Sequence, residues 1–432
     1  MTNNARTRLT RRNILRYATA SMGLACLGPL GRGLLRPAAG APTGDPFFVI
    51  VNLLGGNDGL NTVIPVTQPL YYSRRNDGEP GSIAIPSGAE LSLAGGPGTG
   101  EFGLHPSLVN LQSLWNDGDV AIFPKVGYPG ANLSHFTSQD IYSYGVRDSF
   151  SALGLAASGW VARMAERYAP TSMGAVSIGV GRPLDFVGGS SSPLQATSLG
   201  SFKYDPDYAY RVSHEHRLDA IQDILDTIPS AGTKGEIADA MGQGHALAEQ
   251  IQAAVASYDS AVDYGGATPP AIARFHRDIA TLVQYGFETR LYYTGFGGFD
   301  THANQGPAAG SHATLLGRLD GAIGAFAQDM KAMGAWDSTV LVVISEFGRR
   351  NYQNGSNGTD HGHGNFFFAI GGGVRGGVYG GIVSNADLEV EYLAYDVDFR
   401  DIYKEVLDVH LGMDPAPIFP EAQPSSTTLG FL

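Results

Sequence analysis

Short apolar runs that end at glycines and acids recur along the chain. Residues 47–54 and 339–344 are rich in Val, Ile, Leu and Phe and nearly free of polar side chains. Such short, β-branched runs predict strands of a parallel sheet that are buried on both faces. Further apolar runs predict strands at residues 120–124, 175–180 and 289–294.

Segments with apolar residues at helical spacing separate these strands. The predicted helices are residues 106–117, 134–144, 210–227, 234–257, 271–287 and 312–333. Strands that alternate with helices indicate an α/β fold with a mostly parallel central sheet flanked by helices. We therefore expect a single domain over residues 45–432, with a mainly helical insertion at about 146–287.

The first 41 residues have the pattern of an export signal. Arg11 and Arg12 form a twin-arginine pair, a mildly apolar stretch follows, and the small residues 39–41 resemble a cleavage site. This pattern predicts a twin-arginine signal peptide over residues 1–41 and a periplasmic or secreted protein. The only cysteine, Cys26, lies inside the leader, so no disulfide or thiolate chemistry is expected in the mature chain.

Charge and hydropathy limit the classes of partner. The leader holds seven arginines and no acid, so its removal changes the formal charge from −13 to −20. An acidic surface of this kind argues against nucleic acid and anionic membranes as partners. The body of the chain has no apolar run of about 18 residues, so no membrane-spanning helix is expected.

Polar clusters follow four of the predicted strands. They are Asn57 and Asp58; Ser134 and His135; Asp300 and His302; and Glu346, which is followed by Asp360, His361 and His363. Because the carboxyl ends of parallel strands lie at one edge of a sheet, these clusters can converge there. Carboxylates and imidazoles are the ligands that divalent metal sites use. Taken singly, Asp58 also fits a turn residue and Ser134 fits either a helix N-cap or a nucleophile.

Several motifs together resemble a large bacterial family of exported proteins of unknown function in the alkaline phosphatase/sulfatase superfamily. The matching motifs are the twin-arginine leader and residues 53–61, 134–136, 298–302, 345–349, 358–364 and 398–400. The resemblance runs from about residue 47 to residue 410. It implies an alkaline-phosphatase-like fold.

The same resemblance implies roles for individual residues. Asp58 matches the first metal-binding acid, Ser134 the nucleophile at a helix start, and Asp300 with His302 an acid–histidine pair. Glu346 stands where an Asp is usual, and Phe347 replaces the histidine that normally follows it. Asp360, His361 and His363 would then supply the missing metal ligands.

These observations lead to the hypothesis of a metal-dependent hydrolase or transferase that acts on a small or polymeric phosphate or sulfate ester. One or two ions of zinc, manganese, calcium or magnesium would be held by Asp58, Asp300, His302, Glu346, Asp360, His361 and His363. Ser134 would attack the ester or position a water, Arg349 would bind its non-bridging oxygens, and His135 would protonate the leaving group.

Two other interpretations stay open at this point. The chain could be a non-catalytic exported surface or assembly protein that keeps the fold and part of the metal site, and the change at Phe347 and the acidic surface are compatible with this. It could also be a carbohydrate- or peptide-modifying enzyme in which two carboxyls, about 5–10 Å apart and without a metal, act as acid and base.

Overall fold

The computed structural model describes residues 44–95, 100–147, 158–181, 183–189, 193–203, 220, 223–229, 232–419 and 428–432. The predicted signal peptide and most of the predicted helix at 210–227 lie outside these residues. Within them, no helix has the length and apolar character needed to cross a lipid bilayer.

Twelve strands lie in the described part of the chain. In chain order they are β1 Phe47–Leu54, β2 Val63–Ile64, β3 Leu91–Ser92, β4 Gly103–Leu104, β5 Val120–Gly127, β6 Ala175–Ile178, β7 Leu194–Ala196, β8 Leu291–Gly297, β9 Thr339–Ile344, β10 Asn365–Ile370, β11 Gly377–Val378 and β12 Val397–Asp398. Nine of them form the central sheet in the order β11-β5-β10-β9-β1-β8-β6-β7, with β12 also paired to β5. The other three, β2, β4 and β3, form a small separate sheet.

The helices cover both faces of the central sheet. They are α1 Gly59–Thr62, α2 Pro69–Arg74, α3 Val109–Asp117, α4 His135–Tyr144, α5 Trp160–Tyr168, α6 Thr233–Ser257, α7 Ala271–Tyr285, α8 Ser311–Ala332, α9 Asn385–Glu389 and α10 Phe399–Glu405, which continues as a π-helical turn, Val406–His410. Short 3₁₀ turns lie at Leu184–Phe186, Leu199–Ser201 and Trp336–Ser338.

The alternation of side chains along β1 divides the core into two layers. Val49 and Val51 belong to the layer that packs against α3, α6, α7 and α8. Phe48 and Ile50 belong to the opposite layer, which packs against α4, α5 and α10. Because both layers are apolar, β1 is buried on both sides, as its continuous hydrophobic run predicts.

The sheet is parallel except at β10. The strand β1 pairs in parallel with β8 and β9, and β6 does the same with β7 and β8. In contrast, β10 runs antiparallel to both of its neighbours, β5 and β9. The segment just before β10 therefore lies at the same edge of the sheet as the segments that follow β1, β5, β8 and β9.

The predicted α/β class with a mostly parallel central sheet is confirmed. The predicted bounds of β1, β9 and α8 agree with the structure to within about two residues. Residues 146–287 hold α5, α6 and α7 but also supply β6 and β7, which extend the edge of the central sheet. This region is therefore part of the sheet as well as a group of helices.

Candidate metal centre

The Asp300 carboxylate is the centre of a cluster at the carboxyl edge of the sheet. Its Oδ1 lies 3.0 Å from Nε2 of His302 and 3.1 Å from Nε2 of His361. Its Oδ2 lies 3.6 Å from Nε2 of His135. The two nitrogens of His302 and His361 are themselves 3.0 Å apart. Three imidazoles from three different segments thus present the same nitrogen, Nε2, to one carboxylate.

The other ring nitrogen of each histidine contacts an oxygen acceptor. Nδ1 of His135 lies 2.8 Å from Oε1 of Glu346, and Nδ1 of His302 lies 3.1 Å from Oδ1 of Asp360. Nδ1 of His361 lies 2.8 Å from the main-chain carbonyl of Leu133. With the proton on each Nδ1 donated to these oxygens, each Nε2 would present a lone pair toward Asp300, which is the tautomer that a bound metal ion requires.

These lone pairs fit a bound cation. A proton shared between one Nε2 and Asp300 would pair only those two atoms. A metal ion between the histidines and Asp300 would bind all of the Nε2 atoms and the carboxylate together. The ligand atoms of His135, Asp300 and His361 all lie within 4.8 Å of one another. Two ligands about 2.1 Å from a tetrahedral zinc ion are about 3.4 Å apart, which agrees with the distances to Asp300. A carboxylate or carbonyl on the second nitrogen is the usual companion of a metal-binding histidine.

The cluster is exposed to solvent on the side of Asp300 and His302 and is buried on the side of Glu346. Asp300 and His302 keep 45% and 43% of their side-chain surface exposed. Glu346 is almost wholly buried and also accepts a hydrogen bond from the backbone N–H of Gly55, 2.8 Å away. A ligand can therefore approach Asp300 from solvent, while Glu346 fixes His135 from beneath.

Arg349 ties the loops of the cluster together and has no solvent exposure. Its guanidinium donates to Asp300 Oδ1 at 2.7 Å and to the carbonyls of Phe299 and Thr359, each at 3.0 Å. It also donates to the carbonyls of Gly55 and Gly56. This burial keeps Arg349 away from a substrate at the surface, so the structure does not place it to bind ester oxygens.

The same guanidinium sets the charge of the central acid. Burial by itself raises the pKa of the Asp300 carboxyl, but the Arg349 guanidinium and the nearby His361 and His302 together lower it to about 2. Asp300 is therefore an anion over the whole physiological pH range. Burial lowers the pKa of His361, which keeps its imidazole in the neutral form that binds metal.

Asp58 does not join the cluster. It is fully buried in an ion pair with Arg75, at 2.6 Å, and accepts a further hydrogen bond from Gln305, also at 2.6 Å. Burial raises its pKa, but Arg75 more than offsets this and the net pKa is lowered. The chain turns inward here because Gly55 and Gly56 adopt positive φ, so the acid that follows them faces the core.

His363 also points elsewhere. Its Nε2 lies 2.8 Å from the carbonyl of Tyr128, and its ring packs edge-on against the Tyr128 ring. The structure thus brings together His135, Asp300, His302, Glu346, Asp360 and His361, and it leaves Asp58 and His363 in separate buried contacts.

Phe347 forms an apolar wall beside two of the imidazoles. Its ring centre lies 4.8 Å from that of His135 and 4.6 Å from that of His361. A Cβ on Gly56 would come within 2.3 Å of the same ring, so this wall also depends on glycine at position 56. Because Phe347 is apolar, it supplies no metal ligand on this side of His135 and His361.

Ser134 occupies the N-cap position of α4 without acting as a side-chain cap. In the described part of the chain its exposed hydroxyl has no hydrogen-bond partner, while its backbone N–H donates to Asn132 Oδ1 at 2.9 Å. Both residues next to Ser134 in sequence contact the cluster. The carbonyl of Leu133 contacts His361, and the ring of His135 faces Asp300. Ser134 is therefore an exposed residue between two residues that contact the cluster.

Sequence analysis did not identify several supporting groups. The Leu133 carbonyl carries no side-chain signal. Asn354 donates to Asp360 Oδ1 at 3.1 Å, and Gln139 lies near Glu346, but an amide in a loop or on a helix face indicates no role by itself. Arg75 lies 17 positions from Asp58, and no spacing rule pairs them.

Comparison with known proteins gives a family match and a set of distant folds. The model of a family described as "Protein of unknown function (DUF1501)" matches residues 243–429, which is less than half of the chain. No curated protein matches the sequence.

Solved structures resemble the chain over most of its length at low identity. One is a protein in the alkaline phosphatase superfamily from Vibrio parahaemolyticus, with 10% identity, a TM-score of 0.39, and coverage of 95% of this chain and 78% of that one. Another is a lipoteichoic acid synthase from Listeria monocytogenes, with 10% identity, a TM-score of 0.35, and coverage of 95% and 80%. A third is the PsFucS1 sulfatase from Pseudoalteromonas sp., with 11% identity, a TM-score of 0.34, and coverage of 88% and 70%. The likeness is distant, and the chemistry of the site rests on the residues of this chain.

Proposed function

We propose that the protein is a metal-dependent hydrolase or transferase of phosphate or sulfate esters with one metal ion in the Asp300 cluster. The observation that carries the proposal is the convergence of three Nε2 atoms on Asp300, each with an oxygen on its Nδ1. Asp300, His135 and His361, whose ligand atoms all lie within 4.8 Å of one another, would be three of the ligands. His302, which lies outside that group but contacts Asp300 and His361, would be the fourth. Glu346 and Asp360 would then orient His135 and His302, not bind metal themselves.

The ligand set favours one of the four ions predicted from the sequence. Imidazole nitrogen suits zinc, whereas calcium, magnesium and manganese prefer oxygen ligands. A bound zinc ion supplies Lewis-acid stabilisation of the charge that develops on an ester group during its cleavage. We therefore propose zinc.

Other residues near the cluster have separate proposed roles in the reaction. The free hydroxyl of Ser134 stands at the start of α4, where backbone N–H groups favour a bound anion, and it is the proposed nucleophile. Arg349 is a positioning residue that keeps Asp300 ionised and in place. His135, predicted from sequence as the proton donor, becomes a ligand in this proposal because its Nε2 faces Asp300.

The two competing interpretations have less support in the geometry. A metal-free acid–base pair needs two carboxyls that face a shared substrate, but Asp300 and Asp360 both contact the His302 imidazole. A non-catalytic protein does not require three imidazoles that converge on one carboxylate. The assignment of metal-binding residues stays a prediction until metal is measured.

Metal content by mass spectrometry tests the proposal. The mature wild-type protein should hold about one equivalent of zinc, as expected for four ligands. Asp300→Ala and His361→Ala should both lose it. His245→Ala is the matched control, because His245 also faces a carboxylate, Glu249 at 3.6 Å, but lies on α6. Wild-type protein that is metal-free and takes up no added zinc would refute the metal centre.

Turnover is measured separately with aryl phosphate, phosphodiester and aryl sulfate substrates. Zinc-loaded wild-type protein should cleave at least one of these classes, and Asp300→Ala should cleave none. A protein that binds zinc and cleaves none of the three would keep the metal centre and remove the proposed activity.

We further propose that the chain is exported by the twin-arginine pathway to the periplasm or beyond and that residues 1–41 are removed. The support is the Arg11–Arg12 pair and the small residues at 39–41. Arg11→Lys with Arg12→Lys should keep the protein in the cytoplasm of an expressing bacterium. Unchanged export of that variant would refute this route.

A further inference from the structure

The side chain of Gln305 joins three segments of the chain next to the metal centre. Gln305 lies in the loop between β8 and α8 and has no solvent exposure. Its Oε1 accepts hydrogen bonds from the hydroxyls of Thr301, at 2.8 Å, and Thr359, at 3.1 Å. Its Nε2 donates to Oδ2 of Asp58 at 2.6 Å. One amide therefore contacts the segment after β8, the segment before β10 and the turn after β1.

The two threonines are close in sequence to the proposed metal-binding residues. Thr301 separates Asp300 from His302, and Thr359 lies two positions before His361. Both threonines are buried, whereas Asp300 and His302 are about half exposed. The backbone N–H of Thr359 also donates to the carbonyl of Thr301 at 3.1 Å, so the two segments lie side by side at this point. Contacts of the threonine hydroxyls therefore act on both ligand-bearing segments from their buried side.

Asp58 determines which end of the Gln305 amide faces the threonines. Arg75 donates to both oxygens of the Asp58 carboxylate, at 2.6 and 3.0 Å, which keeps this acid ionised. A carboxylate accepts hydrogen bonds and donates none, so the NH₂ end of the amide faces it. The oxygen of Gln305 is then left for the two threonine hydroxyls. The buried ion pair thus has a connection to the cluster although Asp58 is not a ligand.

Arg349 makes a separate connection between the same segments. It donates to the carbonyls of Phe299 and Thr359, and these bonds do not involve Gln305. A chain without the Gln305 amide therefore keeps the course of both segments. It would, however, leave two buried hydroxyls without an acceptor in the described part of the chain, which is unfavourable and shifts the segments that carry them.

We propose that Gln305 is a positioning residue that sets the separation between the segment of Asp300 and His302 and the segment of His361, and with it the affinity of the cluster for zinc. Asp58 acts on the cluster through Gln305. The inference rests on the proposed metal centre. Groups that orient metal ligands contribute about 10–100-fold to metal affinity, and Gln305 acts through the threonines, so a loss near the lower end is expected.

Zinc affinity of the mature protein is measured by competition with a chelator of known affinity. Gln305→Met removes both polar ends of the amide at similar side-chain length and should weaken zinc binding at least about tenfold. Cobalt(II) is then bound in place of zinc, because its visible absorption spectrum reports the geometry of the ligands. The spectrum of Gln305→Met should differ from that of the wild type, a change that lower stability alone does not produce.

Gln252→Met is the matched control. The Nε2 of Gln252 donates to the carbonyls of Leu199 and Phe202, at 2.9 and 2.8 Å, in a contact that involves no residue of the cluster. This variant loses an amide of the same kind but should keep the zinc affinity and the cobalt spectrum of the wild type. Equal weakening of zinc binding in both glutamine variants would overturn the proposal.

A double variant, Thr301→Val with Thr359→Val, decides the question if Gln305→Met does not fold. It retains Gln305 and the branched shape of both side chains, and it should weaken zinc binding by a similar factor. Gln305→Met added to it should cost less than about threefold more, because the same contacts are already lost. Unchanged zinc affinity in the double variant, or full addition of the two effects, would overturn this inference and keep the metal centre. A wild type that takes up no zinc would overturn both.

Discussion

Exchange of Glu346 for Gln tests whether this buried carboxylate orients a metal ligand. Gln keeps an oxygen for the His135 Nδ1–H and for the N–H of Gly55, and its new N–H₂ faces the Ser345 hydroxyl, which now lies 3.2 Å from Glu346 Oε2. The side chain's shape and hydrogen bonds are therefore retained. Only the negative charge behind His135 is lost.

The size of the effect follows from burial. Loss of a group that orients a metal ligand costs about 10–100-fold in metal affinity, or about 1.4–2.7 kcal/mol. The Glu346 side chain is 1% exposed, so its charge acts on His135 through a medium of low dielectric constant. We expect Glu346→Gln to weaken zinc binding toward the upper end of this range.

Asp360 provides the internal comparison. It has the same relation to His302 that Glu346 has to His135, but its side chain is 47% exposed and its contact is 3.1 Å long. Solvent screens such a pair, so Asp360→Asn should weaken zinc binding by less than about tenfold. The assay is competition for zinc with a chelator of known affinity, and circular dichroism checks that each variant is folded. Unchanged affinity in Glu346→Gln, or a larger loss in Asp360→Asn, would refute the reasoning.

Other buried or unpaired polar groups give three more expected outcomes. Asp58→Asn leaves the buried Arg75 without its charged partner, and the free energy of unfolding in urea should fall by about 3–5 kcal/mol; a loss below about 1 kcal/mol would contradict the ion pair's role. Ser134→Ala should leave zinc content unchanged and the free energy of unfolding within about 0.5 kcal/mol, since no cap bond is lost. It should reduce ester turnover at least about a hundredfold, and turnover within about twofold of the wild type would exclude Ser134 as nucleophile. Because burial raises the pKa of Asp185 to about 6 in the folded state, its ionisation opposes folding, and its own contribution to stability should fall as pH rises from about 4 to 6. Asp185→Asn should remove about 2 kcal/mol from the difference in unfolding free energy between about pH 4.5 and about pH 7, as measured by urea titration at both; an unchanged difference would contradict the raised pKa.

The sequence predicts the bounds of those helices and strands that have a clear hydrophobic pattern along their own residues. The apolar runs of β1 and β9 and the periodicity of α8 mark those elements to within about two residues. The same local patterns placed polar residues after these strands. Parallel pairing then brings the ends of β1, β8 and β9 to one edge, which is the physical basis of the predicted convergence.

The roles of individual acids could not be predicted in this way. Asp58 and Asp300 both follow a central strand, yet one is paired with Arg75 in the core and the other is half exposed among imidazoles. The difference depends on the positive φ of Gly55 and Gly56 and on an arginine from another segment, neither of which leaves a periodic signal. Arg349 shows the same limit: its sequence position suggests a substrate contact, but the contacts that bury it are backbone carbonyls.

The direction of β10 determines where the segment from Asp360 to His363 lies. These residues were expected to converge because they follow β9, but a loop separates them from that strand and they lie directly before β10. They reach the cluster because β10 is antiparallel to β9, which brings its amino end to the carboxyl edge. Pairing direction depends on partners distant in sequence, so no local pattern could establish that His361 meets Asp300.

The cluster can form only in the folded chain. Its histidines come from segments as far apart as His135 and His361, and His135 is oriented by Glu346, 211 positions away. An unfolded chain cannot hold these groups within a few ångströms of one another, so metal affinity is gained with folding. Twin-arginine export, as predicted from Arg11 and Arg12, carries chains that have already folded. The predicted leader and the proposed metal centre are therefore consistent with each other, because a chain that folds before export can bind its ion before it is exported.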